Sequence, residues 1–594
     1  MGKFKAFWRK IQKIPEWQRR LRWPLFSAAI GVVAGVGAIV FDWLLHLILH
    51  YSIELPTNYI EPTPLPFGLP PGSSSLPWGH WLFLVVPTLG GLISGLLVFL
   101  IAPETKGDGT DAMLEAYHYR GGVTRTRVPF IKILSSAITI GSGGSAGKEG
   151  PISQIGSGFG YFIATVFKLR PRERRILMLA GAAGGLGAIF RAPLGAALFA
   201  AEVLYAETEF EFEAILPCLT SSIIAYCIFT SFYIHGPVVF PQSAEISLPI
   251  ELVPCTIFGL VCALIGFFYV RFFYGMRDYF FAKLPIPDLL KPALGGFLVG
   301  CVAFFFPQIM AGGYGWIQWA LEGHFLWHTM LILAILKIIV TSFTLSSGGS
   351  GGVFGPSLFM GAMLGGAFGT LGHQLAPQWV IHPASYLLIG MGGFYAGVAK
   401  VPISAIIMLS EMTSSYTLLV PLMLVSTITF LCLWHTNLYE KQLPTRLSSP
   451  THFRRFASGL LDRLYVYQAI NHRPVELIPE SMPFEQLVRI VTISPDHYFP
   501  VVDDQKKMTG ILSINDIREI LFEESVSNLI VAKDVANPNV IRVFWNETLN
   551  QAMMKLTELN VDELPVVKEE NPDHIITMLS KRDIISYYYR KIEV

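Results

Sequence analysis

The residues best placed to do chemistry sit in one short loop. Residues 141–151 read GSGGSAGKEGP and set Lys148 and Glu149 between apolar segments. Three chemistries compete for such a loop. A phosphate-binding Walker loop requires Gly five residues ahead of the Gly-Lys pair, where Ser142 stands, and Ser or Thr where Glu149 stands. A dinucleotide fingerprint requires a preceding strand and an acid about 20 residues on, whereas the flanks here resemble membrane helices. The third chemistry is an anion site at a helix N-terminus inside a membrane. Unpaired N–H groups and the helix dipole draw an anion there, and glycine lets it approach the backbone. A carboxylate at that spot is a tethered anion: when it swings away or takes a proton, a free anion can enter. Ionisable groups within a membrane are functional candidates by default. Simple helix capping by Glu149 is the alternative, and it needs no such glycine-rich setting.

A loop of this kind must be held between helices, and the composition supplies them. The chain has 594 residues, 52% hydrophobic and 15% charged, against about 25% charged in ordinary soluble domains. From Pro24 to about Tyr439 apolar runs follow one another, among them WLFLVVPTLGGLISGLLVFLIA and YTLLVPLMLVSTITFLCLW. Several are near the ~20 residues that cross a bilayer. Others are cut short by Gly, Pro and Ser clusters at 86–95, 107–110, 141–151, 181–187, 346–356 and 390–402. Such breaks must be buried in protein or line a cavity, and broken helices meeting near the midplane mark transporters and channels.

Charge placement orients the chain. Residues 3–22 hold eight Lys or Arg and one acid, Glu16. That predicts a cytoplasmic N-terminus and also suits a surface-lying amphipathic helix. No cleavable signal is evident, and a plasma or bacterial inner membrane is expected. A net charge of +1 argues against bulk nucleic-acid binding. The six cysteines lie in apolar stretches without CxxC spacing and read as buried hydrophobes rather than metal ligands.

The chain repeats itself twice. GSGGSAGKEGP (141–151) is echoed by SSGGSGGVFGP (346–356). GAAGGLGAIFRAPLGAALFAAEVLY (181–205) is echoed by GMGGFYAGVAKVPISAIIMLSEMTSSY (390–416), each with a helix ending in Glu, Glu202 and Glu411. Repeats in membrane carriers often have inverted topology. Beyond Lys441 the composition turns soluble, and HYFPVVDDQKKMTGILSINDI (497–517) is echoed by DELPVVKEENPDHIITMLSKRDI (562–584). The expected organisation is a basic segment 1–23, a membrane domain 24–440, a linker 441–462 with arginines suited to the cytoplasmic face, and two α/β units at 463–530 and 531–594.

GKEGP, GGVFGP, the AP-containing helix and the SEMTSSY segment together resemble the CLC family of chloride channels and proton-coupled chloride exchangers. The paired tail units resemble CBS domains. The resemblance covers roughly residues 24–590. It implies an α-helical polytopic membrane protein with an inverted internal repeat, followed by cytoplasmic tandem CBS domains. It also implies a homodimer in a lipid bilayer, one anion path per subunit, no catalysis and no required cofactor. By the same resemblance Glu149 is the gate. The path is formed by Gly147, Lys148 and Gly150, by Asp108, Gly109 and Thr110, by the amides of Val353 and Phe354, and by the hydroxyl of Tyr439.

Two positions depart from the family. Asp108, in KGDGTDAML, replaces a serine whose hydroxyl faces the ion. An ionised carboxylate there repels an anion. It is either protonated, as burial favours, or turned away while backbone amides or Thr110 do the work. The clue for chloride over nitrate is lost with the serine. Val203 stands where exchangers carry a second glutamate that relays protons, and valine carries none. Channel-like, voltage-gated chloride conduction is therefore expected, with proton-coupled antiport as the alternative.

In the tail, Ser513/Asp516 and Ser580/Asp583 could bind the ribose of ATP, ADP or AMP in the cleft of the CBS pair. Capping of the helices that follow explains the same spacing, with dimer clamping the alternative role for the tail. A membrane-embedded enzyme using Glu149 and Lys148 would need a second catalytic group, and no metal-spaced cluster or activated nucleophile is visible. A nucleotide sensor on a membrane anchor would need only one or two spans.

Overall fold

The computed structural model describes residues 16–62, 79–233, 246, 249–446, 448–451, 461–470, 475–494, 497–514, 516–517, 530–559 and 561–592. Most of the basic N-terminal segment and part of the linker lie outside them. The chain divides into two compact units, Met1–Thr451 and His452–Val594.

The first unit is helical. In order come α1 (Glu16–Leu49), α2 (Gly79–Ile101), α3 (Gly109–His118), α4 (Val128–Gly141), α5 (Glu149–Val166), α6 (Pro171–Phe190), α7 (Pro193–Glu202) and α8 (Phe212–Phe232). The second run is α9 (Leu252–Gly275), α10 (Lys291–Ala303), α11 (Tyr314–Leu321), α12 (Trp327–Ser346), α13 (Phe354–Leu375), α14 (Pro383–Ala399), α15 (Pro402–Thr413) and α16 (Leu419–Cys432). Among the described residues six helices are long and apolar enough to cross a membrane, and α4, α7, α15 and α16 are shorter apolar helices. The loop that ends α4 is buried, as irregular backbone at membrane depth must be.

The echoed segments form matching structures. Arg191 (φ 54°) and Lys400 (φ 58°) end α6 and α14 in the left-handed region. After one more residue, Pro193 and Pro402 open α7 and α15. Proline suits a first helical turn because no N–H is needed there and φ is already set. Helix pairs approach closely at equivalent glycines. A Cβ on Gly156 of α5 would stand 2.1 Å from the carbonyl oxygen of Gly181 on α6; one on Gly361 of α13 would stand 2.1 Å from that of Gly390 on α14. Small residues let membrane helices pack backbone to backbone.

Lysines brace the two halves in the same way. Lys132 of α4 is fully buried and donates to the carbonyls of Thr105 (3.0 Å) and Gly107 (2.8 Å), just ahead of α3. Lys337 of α12 is fully buried and donates to Ile309 (2.8 Å) and Ala311 (2.7 Å), just ahead of α11. Each ammonium thus supplies a buried donor to the carbonyls of a broken segment.

The halves also cross. Strands β1 (Gly107–Asp108) and β2 (Ser350–Gly351) pair in parallel, and Gly147 N–H donates to Gly352 O at 2.7 Å. Glu202, at the end of α7, accepts from the backbone of Ile403 (3.1 Å) and Ser404 (2.7 Å) at the start of α15. Glu411, near the end of α15, accepts from Leu194 (3.1 Å) and Gly195 (2.7 Å) at the start of α7.

The second unit holds two three-stranded sheets of one topology. In the first, β3 (Ile478–Pro479) pairs in parallel with β4 (Tyr498–Val502), which pairs antiparallel with β5 (Met508–Ser513). In the second, β6 (Val543–Phe544), β7 (Glu563–Lys568) and β8 (Asn571–Ser580) repeat that order. The PVV triplets lie in β4 and β7. Helices α17 (Phe484–Ile493) and α18 (Leu549–Glu558) precede them, and α19 (Lys581–Ile592) follows β8.

Candidate functional site

Three helices of the first unit begin near one another: α3, α5 and α13. The contact requires glycine. A Cβ on Gly109 would stand 2.1 Å from Gly150 O, and one on Gly150 would stand 2.9 Å from Asp108 Oδ2 and 3.0 Å from both Asp108 Oδ1 and the Cα of Gly352. Helix N-termini gathered this way offer unpaired N–H groups to a negative group.

Two carboxylates lie there. Glu149, the first residue of α5, is buried. Its Oε1 accepts from the Tyr314 hydroxyl at 2.5 Å. Its Oε2 is buried without a hydrogen-bond partner and fills the space a Cβ on Gly147 would take. Asp108 caps α3: Oδ1 accepts from Thr110 N–H at 2.6 Å. Its Oδ2 accepts from Val353 N–H, one residue ahead of α13, at 2.9 Å. The expected alternative in which Asp108 turns away and leaves the amides free does not hold: its carboxylate is turned toward them. The Val353 amide expected to hold an anion holds Asp108, and the Thr110 amide does the same.

The other expected residues fall as follows. Lys148 directs its ammonium to Asp42 of α1 (2.8 Å), so its side chain pairs with an acid on another helix. Phe354 packs against the rings of Phe190 and Tyr395, with centroids at 5.0 and 4.4 Å. The Tyr439 hydroxyl, fully buried, lies 3.1 Å from that of Tyr395. The Val203 side chain is wholly buried, and its carbonyl accepts from Gln442 at 3.1 Å.

A cavity of about 860 Å³ opens onto this place; Asp108, Asp111, Val353, Lys106, Arg277 and Lys441 are on its wall. On that wall Asp111 accepts from the Lys441 N–H (3.0 Å).

In the tail both Ser-x-x-Asp motifs close reciprocal caps. Ser513 Oγ donates to Asp516 Oδ2 (2.8 Å) and accepts from Asp516 N–H (3.3 Å). Ser580 and Asp583 repeat this at 2.6 and 3.1 Å.

Tyr314, Tyr395 and the capping role of Glu411 escaped the sequence reading. Tyr314 had one signal: it sits in a short glycine-rich stretch, GGYG, opening a helix.

Comparison with known proteins agrees with this architecture. The family model described as voltage gated chloride channel matches residues 90–433, and the CBS domain model matches 467–523 and 532–590. A ClcB-like chloride channel protein of Ralstonia nicotianae is 31% identical over 361 residues, covering 60% of this chain and 83% of that one. The H(+)/Cl(-) exchange transporter ClcA of Cronobacter sakazakii is 29% identical over 407 residues, covering 67% and 84%. Among solved structures, a slow cyanobacterial Cl-/H+ antiporter is similar with TM-score 0.62 and 23% identity, covering 69% of this chain and 94% of that one. A eukaryotic CLC transporter is similar with TM-score 0.60 and 18% identity, covering 96% and 99%. The chain belongs to the voltage gated chloride channel, or CLC, family of anion-transporting multi-pass membrane proteins, and it carries a tail of two CBS domains.

Proposed function

We propose that this protein is a proton-coupled chloride exchanger, with Glu149 as the group that trades places with the anion. The observation that carries the reading is the seating of Glu149. Its carboxylate is buried among the helix N-termini, with one oxygen on Tyr314 and the other unpartnered. A carboxylate in that position leaves most readily as the neutral acid, so anion entry and proton uptake are linked. Similarity to proteins named as H(+)/Cl(-) exchange transporters supports the same reading. It moves the balance away from the channel-like conduction expected from Val203.

Uncoupled conduction is the second reading, favoured by the buried apolar side chain of Val203. The subunits pair as a homodimer in a plasma or bacterial inner membrane with both termini cytoplasmic, and adenine nucleotide at the CBS pair regulates transport. The basic N-terminal cluster and the CBS matches support these points.

Liposomes test the main reading. Purified protein is reconstituted, a chloride gradient is imposed, voltage is clamped with a potassium ionophore, and chloride and external pH are followed together. Uphill proton movement driven by chloride is expected, and its loss with retained chloride flux is expected in Glu149→Ala. Rapid chloride flux without protons in the parent chain establishes the channel instead.

A further inference from the structure

We infer that Asp108 is a second gate of the anion path, on the cavity side: its carboxylate occupies the Val353 amide and yields it to an entering anion. The inference rests on the anion-transport reading above and deepens it.

Three observations meet at this residue. Asp108 is the acceptor for two backbone amides at separate helix starts, Thr110 N–H of α3 and Val353 N–H ahead of α13. It is on the wall of the 860 Å³ cavity together with Val353, whereas Glu149 is not. An anion arriving through the cavity therefore meets Asp108 before Glu149. A Cβ at Gly150 would abut both Asp108 oxygens, at 2.9 and 3.0 Å, so the carboxylate and the start of α5 share one small space. Capping alone accounts for the Thr110 bond but not for the bond to Val353, in the other half of the repeat.

A chloride accepting from Val353 and an Asp108 carboxylate in the same place repel each other at short range. Occupancy becomes compatible when a hydronium ion reaching the cavity from solution gives the carboxylate one proton and is left as water. An O–H bond forms on Asp108, the Val353 N–H···O bond breaks, and the N–H turns to the anion. One H⁺ and one Cl⁻ enter together, so the local net charge is unchanged. When chloride leaves, the proton leaves and the carboxylate returns.

The charged and titratable groups around Asp108 set where this happens. Lys132 of α4 and Asp111 of α3 lie within electrostatic reach of it, as do the phenols of Tyr269 and Tyr274 on α9, Tyr395 on α14 and Tyr439 after α16. Lys106 and Arg277 add positive charge in the cavity.

Calorimetric titration of potassium chloride into the full-length protein in detergent tests the gate. It is done across pH in Glu149→Ala, which removes the other carboxylate, and in that variant with Asp108→Ser or Asp108→Asn added. Both replacements retain an oxygen able to cap α3. Expected is a chloride affinity that weakens with rising pH in Glu149→Ala, by up to about tenfold per pH unit where one proton is linked. The double variants should be flat with pH and tighter at the alkaline end. Identical curves for single and double variants would overturn the gate. A protein that shows the expected binding yet moves no protons uphill in liposomes loses the exchange reading and keeps the gate.

Discussion

Tyr314 Oη and Glu149 Oε1 are 2.5 Å apart, so a residue of the second half of the repeat holds the carboxylate of the first. The mirror contact is Asp108 on Val353, where the first half reaches the start of α13. Each short helix start thus holds a group at the start of the other half's long helix.

Removing the Tyr314 hydroxyl tests how firmly Glu149 is seated. A hydrogen bond to a charged group contributes about 1.5–3 kcal/mol. Tyr314→Phe is therefore expected to free the carboxylate and raise chloride turnover roughly tenfold or more when gate opening limits the rate. Chloride efflux from liposomes measures it. An unchanged rate would mean that the glycine bed, rather than the phenol, holds Glu149.

Tyr439 and Tyr395 share a buried hydroxyl pair at 3.1 Å. Tyr439→Phe is expected to leave the fold intact and shift chloride affinity or chloride/nitrate selectivity several-fold, because the Tyr395 hydroxyl loses its partner. Calorimetry with both anions reads the change. Identical affinities would assign Tyr439 to packing.

In the tail, each aspartate is part of a cap worth about 1 kcal/mol. Asp516→Ala and Asp583→Ala are expected to lower the tail's unfolding temperature by a few degrees. If the CBS pair holds adenine nucleotide through these carboxylates, ATP binding followed by calorimetry falls at least tenfold in the same variants. Full ATP binding with a lowered melting temperature would leave capping as their whole role.

Glu202 accepts two amides at the start of α15, and Glu411 accepts two at the start of α7. A buried amide left without an acceptor costs about 1–3 kcal/mol, which applies most directly to Ser404 N–H under Glu202. Glu202→Ala and Glu411→Ala should each lower thermal stability in detergent, and the double variant should fall short of the sum, since α7 and α15 pack together. Additive losses would show that the two caps act independently.

The parts legible in the sequence were those whose cause is local. Glycine clusters cut helices wherever they occur, so the breaks and both repeats could be read directly. The Ala-Pro and Val-Pro steps announced the starts of α7 and α15 for the same reason. Residues whose role depends on a partner some 165 to 245 positions away stayed hidden, as with Tyr314 on Glu149 and Asp108 on Val353. The resemblance of KGDGTDAML to the family's first anion motif implied an acid near the path; only packing of β1 beside β2 decided which way it turned. The transport mode was read from the single position Val203, whereas similarity to proteins named as H(+)/Cl(-) exchange transporters supports the alternative of antiport.

The reciprocal caps of Glu202 and Glu411 bear on how such a chain is made. During synthesis the start of α7 enters the membrane long before Glu411 is translated, and its amides wait for a glutamate from the other half. Neither half can finish its own helix ends by itself. A half on its own would need a second copy to close the same bonds, so the covalent link between the halves keeps each acceptor within reach of its amides.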